Sequence, residues 1–146
     1  MLRIPKKVEY GIIAICYMAN NSNELFSVKE IANNLNISSE FLSKIMQNLA
    51  KNGIVESHQG IKGGYKLLKN PKELTIMEII KSFNEKISIV ECLDDDMNNC
   101  NRKEDCNIKI PMVILQKKVE SIFNHTFISD LIQKSYKTIN LKLELN

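Results

Sequence analysis

The chain has few of the residues that hydrolytic and redox enzymes draw on. Its 146 residues include only two histidines. No Ser/His/Asp arrangement, paired catalytic acid or dinucleotide-binding glycine fingerprint is evident, so an enzyme is not expected. Long apolar runs are missing as well, because the stretch from Ile12 to Ala19 is too short to cross a bilayer. No leading segment joins a basic region, a short apolar run and a small-residue cleavage site, which makes the cytoplasm the expected location. Repeats and low-complexity segments are absent. A chain of this length buries a core without covalent staples, so its four cysteines need not form disulfides. In a reducing compartment, clustered thiols serve metal or redox chemistry more often.

Charge is small in sum and uneven in place. The net charge is +3, but residues 1–72 hold ten Lys/Arg against five Asp/Glu, and residues 73–146 hold ten against twelve. Neutralising phosphates supplies most sequence-independent affinity for DNA, so the basic half is the candidate for nucleic-acid contact. In that half, apolar Val8, Ile12, Ile15 and Ala19 recur at helical spacing and predict a buried first helix over Lys6 to Asn20, following Pro5. Cys16 falls within it and reads as a small core residue. Ser27 and Glu30 have capping-box spacing ahead of Val28, Ile31, Ala32 and Leu35, which predicts a short second helix ending near Asn36. Ser38 or Ser39 then caps a third helix with Phe41, Leu42, Ile45, Met46 and Leu49 on its apolar side and Gly53 closing it.

Two strands are predicted next, over 54–58 and 65–68, joined by the glycine-rich tip from Gln59 to Gly64. Two short helices with a tight connection followed by such a hairpin give the order of a winged helix-turn-helix. The third helix leaves Ser39, Glu40, Ser43, Lys44, Gln47 and Asn48 off its apolar side, and its N-terminal residues are placed to reach base edges in a major groove. Ser38, Ser39, Glu40, Ser43 and Lys44 are therefore candidate DNA contacts, joined by Gln59 and Lys62 on the wing. Arg3, Lys6 and Lys7 are further phosphate candidates. A solvated polar surface and plain turn geometry are the blander readings of these residues.

Beyond Asn70, Pro71 and Lys72, a helix opened by Thr75 is expected to carry Ile76, Ile79, Ile80 and Phe83. Cys92, Cys100 and Cys106 follow within fifteen residues, in a loop made acidic by Asp94, Asp95, Asp96, Glu104 and Asp105. Thiolates select zinc, copper(I) or iron-sulfur clusters over hard cations, and no EF-hand spacing supports calcium. Pro111 is expected to start a long helix with Met112, Leu115, Val119, Ile122 and Phe123 along a seam, and a second copy of that helix is its natural partner. A shorter helix is expected within 127–139. The chain thus reads as mainly α with a small β-hairpin wing, a winged helix-turn-helix plus a long dimerisation helix. Residues 1–72 form the DNA-binding part, and residues 73–146 the cluster-binding loop and dimerisation helices.

The run ISSEFLSKIMQNLAKNGIVESHQGIKGGYKL, residues 37–67, resembles the recognition helix and wing of the IscR/NsrR-type regulators. The cysteine triplet and long helix downstream match their order, so the resemblance covers nearly the whole chain. It implies a homodimeric transcriptional regulator, expected as a repressor, that binds a double-stranded DNA operator under control of an iron-sulfur cluster responsive to redox state, nitric oxide or iron-sulfur status. The cluster is expected as 2Fe-2S rather than 4Fe-4S, with Cys92, Cys100 and Cys106 as ligands. Many relatives space the cysteines five apart at both steps, whereas seven residues separate Cys92 from Cys100 here. A cluster needs a fourth ligand. Members resembling IscR place a histidine three residues after the last cysteine, where this chain has Lys109. Others use an acidic residue in the first helix of the partner subunit, and Glu9 matches that position. His58, in the wing, and His125, near the end of the long helix, are weaker substitutes. Several relatives carry arginine where Gln59 stands, so no operator sequence is carried over. The alternative keeps DNA binding but makes the triplet a structural zinc site or free thiols, with control by a partner protein.

Overall fold

A computed structural model describes residues 3–21, 24–90, 93 and 105–134. Helix α1 spans Lys6–Asn20, α2 Val28–Leu35 and α3 Ser39–Lys51. Strands β1 (Val55–His58) and β2 (Gly64–Leu67) follow, then α4 (Ile76–Ser82), α5 (Lys109–Asn124) and α6 (Ile128–Lys134).

Each end of the helix-turn-helix has a local chemical cause. Pro5 precedes α1, and its carbonyl accepts from the N–H groups of Val8 and Glu9 at 2.9 and 3.0 Å. Ser27 Oγ accepts from Glu30 N–H at 3.1 Å and starts α2. Asn36 ends that helix in the left-handed region, φ 53°, and Ile37 N–H reaches back to the Ala32 carbonyl at 2.9 Å. Asparagine tolerates this conformation better than most side-chain-bearing residues. Ser38 is the cap of α3, its Oγ accepting from Phe41 N–H. Gly53, at φ 67°, closes the far end, with Ile54 N–H bonded to the Leu49 carbonyl at 3.0 Å.

The wing is a two-stranded antiparallel ladder pairing Val55 with Leu67 and His58 with Gly64. It has a third contributor. Phe26 and Tyr65 exchange backbone hydrogen bonds of 2.9 and 2.8 Å, tying β2 to the segment between α1 and α2. A Cβ on Gly64 would stand 2.4 Å from the Phe26 carbonyl oxygen, so this contact requires glycine.

One core joins α1, α2, α3 and α4, with Val8, Ile15, Met18, Ile31, Leu42, Met46, Leu49, Leu74, Ile79 and Ile80 almost wholly inaccessible. Gly11 lies buried in the middle of α1, where a Cβ would meet the Phe83 ring at 3.0 Å. A mid-helix glycine costs about 1 kcal/mol against alanine, and here its bare backbone gives Phe83 its seat.

The chain after the cysteines doubles back onto this core. Helix α5 begins at Lys109, two residues before the expected start, because Pro111 still falls in the first turn, where an N–H has no helical acceptor. Its seam divides. Phe123 packs against the core and Met112 is half-buried, whereas Leu115 and Ile122 are exposed. None of its residues is fully buried. Beyond it, Ile76 N–H bonds the Thr126 carbonyl at 2.9 Å and Ile128 N–H bonds the Leu74 carbonyl at 3.0 Å. Ile128 enters the core and α6 packs on α1. The part of the predicted last helix beyond Lys134 lies outside the described residues.

Thr75 and Glu78 form a complete capping box at the start of α4, and Lys69 Nζ reaches Glu78 Oε1 at 2.6 Å. Burial acts to raise the pKa of the Glu78 carboxyl, but the bonds from Lys69 and Thr75 outweigh it and hold it below the ordinary carboxylate value. A carboxyl depressed in this way stabilises the fold above its unfolded pKa, and that contribution is lost as pH falls through its folded pKa. Thr75→Ala is expected to cost about 1 kcal/mol, read as a lower urea midpoint with an unchanged slope. Glu78→Gln should flatten the acid-side loss of stability, and equal pH dependence in both proteins would contradict the assignment.

Candidate nucleic-acid interface and cysteine segment

Helix α3 turns its apolar side into the core and leaves Ser39, Glu40, Lys44 and Gln47 exposed, with Ser43 half-buried. Ser38 is exposed too, and because its oxygen accepts the capping bond, its hydroxyl proton remains available to an acceptor such as a phosphate. Gln59 and Lys62 are exposed on the wing. The short passage through Gly53 and Ile54 joins α3 directly to β1, and the Phe26–Tyr65 bridge anchors β2. Recognition helix and wing are therefore presented as one unit.

Three expected surface groups are committed elsewhere. Asn48 does not face solvent with its helix neighbours. Its Nδ2 donates to the Ser82 carbonyl at 2.9 Å, and Asn52 Nδ2 donates to the same oxygen at 3.1 Å. The recognition helix is thereby pinned to the C-terminal end of α4. Lys7 pairs with Glu85 at 2.7 Å and donates to the Phe83 carbonyl at 3.3 Å. Lys6 pairs with Glu9 at 2.9 Å and lies over the Tyr10 ring.

The candidate ligands are placed as follows. Glu9 occupies the first turn of α1, its side chain 42% exposed and, among the described residues, paired with Lys6. Cys106 is half-buried just ahead of α5, and its carbonyl accepts from Lys109 N–H at 3.4 Å. Cys92 and Cys100 lie outside the described residues. Cys16 is half-buried in α1, where burial pushes its thiol up to about 11 and keeps it protonated at neutral pH. Among the described residues, no three His, Cys, Asp or Glu side chains converge as a metal site.

The segment that leads to the cysteines is clamped. Gln116, on α5, donates through Nε2 to the Ile87 carbonyl and accepts at Oε1 from Ile89 N–H at 3.0 Å. Glu120 accepts from the same Nε2 at 2.8 Å. A cavity of about 330 Å³ borders this clamp, between Met77, Leu93, Gln116 and Asn124. Sequence reading missed Gln116, which follows the apolar run of residues 112–115 and is itself followed by Lys117 and Lys118, so that it reads as one more polar surface residue.

A helical core, a capped third helix and an anchored glycine-tipped hairpin define a winged helix-turn-helix protein of the DNA-binding type. The family model described as iron-dependent transcriptional regulators matches residues 4–134, and the chain belongs to this family, Rrf2. It is 32% identical over 109 residues to the regulator NsrR of Bacillus licheniformis, covering 74% of this chain and 76% of that protein. CymR, the global cysteine regulator of B. subtilis, superposes with a TM-score of 0.73 at 28% identity, covering 91% of this chain and 98% of that one. IscR of T. potens shares the fold, with a TM-score of 0.68 at 23% identity over 90% of this chain and 87% of its own. Among the described residues, no helix is long and apolar enough to cross a membrane.

Substituting Asn48 and Asn52 together by alanine is expected to cost about 1–3 kcal/mol, because the Ser82 carbonyl loses both side-chain donors. Operator affinity should fall while its salt dependence stays the same, since no phosphate-neutralising charge is removed. A reduced salt slope in binding titrations would show that these side chains act at the DNA instead.

Proposed function

We propose that two copies of this chain form a transcriptional repressor whose affinity for a double-stranded operator is set by an iron-sulfur cluster. Residues 1–72 read the DNA, and residues 73–146 hold the cluster and join the protomers. Ser39, Glu40, Ser43 and Lys44 enter the major groove, and Ser38, Gln59 and Lys62 contact backbone and minor groove. Cys92, Cys100 and Cys106 are the thiolate ligands, with Glu9 of the partner subunit as the fourth. The donor set suits such a centre, since thiolates are the soft ligands iron-sulfur clusters take and Glu9, among the described residues, has one exposed lysine to give up. When bound, the cluster supplies redox chemistry and reactivity toward oxidants or nitric oxide. A 2Fe-2S form is the one to be expected.

The observation that carries this reading is the series of contacts from Ile89, three residues ahead of Cys92, to the reading head. Gln116 fastens residues 87 and 89 to α5. Four residues earlier in the chain than Ile89, Glu85 is paired to Lys7 of α1, and Phe83 is seated on Gly11. Ser82, at the end of the same turn, holds Asn48 and Asn52 of the recognition helix. A change in the ordering of the cysteine segment therefore bears on the pose of α3 through contacts of fixed geometry. The family and the NsrR relative support the same assignment.

The exposed flank of α5 supplies the dimer seam. Ile108, Leu115 and Ile122 recur every seven residues with exposures of 54, 45 and 63%, a spacing that suits a second copy of the helix. Leu115→Lys combined with Ile122→Glu is expected to give monomers by light scattering while leaving the helix content intact. A dimer unchanged by both would place the interface elsewhere.

Protein purified without oxygen is expected to contain iron and acid-labile sulfide, and to change operator affinity by at least tenfold when the cluster is removed. The variant Cys92→Ala, Cys100→Ala, Cys106→Ala should bind like the cluster-free form. Equal affinity of all three forms would remove the sensing role. Stoichiometric zinc in protein from iron-replete cells would favour a structural zinc site.

A further inference from the structure

The most exposed large hydrophobic side chain among the described residues is Ile61, with a relative exposure of 108% against 73% for the next, Ile110. It stands at the apex of the wing. Gly63 N–H bonds the Gly60 carbonyl at 2.9 Å, closing a tight turn in which Ile61 and Lys62 hold the two central positions. The flanks of the apex carry no side chain, and the geometry forbids them one. Gly60 has φ 125°, which strains any side-chain-bearing residue, and a Cβ on Gly63 would lie 2.6 Å from the His58 carbonyl oxygen. The tip is thus a narrow blade that ends in one branched aliphatic group and one cation, and the β1–β2 ladder and Phe26–Tyr65 bridge hold its base.

Water surrounds Ile61 on every side, and turn apices ordinarily take polar residues. A partner that covers it must admit a thin element, tolerate the adjacent Lys62 and lie beside the surface that α3 reads. The minor groove of a DNA duplex meets all three conditions: it is narrow, lined by phosphates that suit Lys62, and adjacent to the major groove a recognition helix occupies. Its floor differs between base pairs in one respect that matters to an aliphatic group. A·T pairs present only acceptors and carbon there, whereas guanine projects a 2-amino group. Ile61 has no acceptor for that amine and would desolvate it without compensation.

We propose that Ile61 is a specificity-determining residue that selects A·T pairs in the minor groove flanking the recognition-helix site. The proposal rests on the DNA-binding reading above and adds to it which groove edge is read, and by which side chain. Apolar exclusion of the guanine amine is a different means of reading from the hydrogen bonds that Gln59 and Lys62 can make.

The test uses the full chain and a duplex recovered by selection from a random-sequence library. Adenines of that duplex are replaced one block at a time by 2,6-diaminopurine, which adds an amine on the minor-groove edge and leaves the major-groove pattern unchanged. Substitution in one block of each half-site is expected to weaken binding by about tenfold. The variant Ile61→Ala, whose thermal unfolding should match the parent because the side chain touches nothing, is expected to bind the unmodified duplex more weakly and to ignore the diaminopurine. A parent protein indifferent to every modified duplex, or an Ile61→Ala variant that keeps the full sensitivity, would overturn the proposal while leaving DNA binding intact. If no duplex is recovered at all, the DNA-binding reading falls, and this one with it.

Discussion

The seating of Phe83 on the bare backbone of Gly11 is the constraint on which the rest of the molecule turns. It brings the end of α4 against α1 so closely that a Cβ at position 11 would stand 3.0 Å from the Phe83 ring and push it aside. Everything polar at that junction follows from the placement. The Ser82 and Phe83 carbonyls are left at the close of a seven-residue helix, and they are satisfied by Asn48, Asn52 and Lys7 rather than by water alone. Helix ends leave carbonyls without helical partners; here those orphans serve as the fastening points between the reading helix, the first helix and the chain that runs on toward the cysteines.

Much of the architecture was legible because it obeys short periods. The apolar recurrence in α1, with Pro5 ahead of it, predicted its span, and the Ser27 and Thr75 caps, Gly53 and the glycine-rich tip marked where elements start and stop. What escaped was non-periodic. The bonds from Asn48, Asn52 and Gln116 reach across 34, 30 and 27 positions of sequence, and each joins a side chain to a backbone group that any residue could have offered. No pattern in the sequence announces such a partner. The same holds for Gly64, whose need for glycine comes from the Phe26 carbonyl and not from its own turn. Of the candidate site, the exposed face of α3 was readable from amphipathic spacing and the wing tip from its glycines, while the pairing of Lys7 with the distant Glu85 was not.

The proposed recognition and sensing would place opposite demands on one small chain. The reading head must be stiff, and capping, the Phe26–Tyr65 bridge and the Schellman-type close at Gly53 make it so. Under the proposed function, the cysteine segment would instead differ between two states. In that reading, the hydrogen bonds at the α4 terminus would carry the link, since close-packed interiors are not continuously deformable.

The backbone bonds that tie Thr126 and Ile128 to Ile76 and Leu74 hold the far end of α5 to the core, while its near end follows directly from Cys106. Helix α5 is thus fixed at its α6 end and again at mid-length, where Gln116 bonds Ile87 and Ile89, and its first turn reaches out to the cysteine segment. A 16-residue helix is about 24 Å long, so a tilt of roughly 5° about the α6 junction carries the cysteine end through about 2 Å. If two copies pack along this helix as proposed, a small tilt at the α6 junction is read out at its opposite end, beside Cys106.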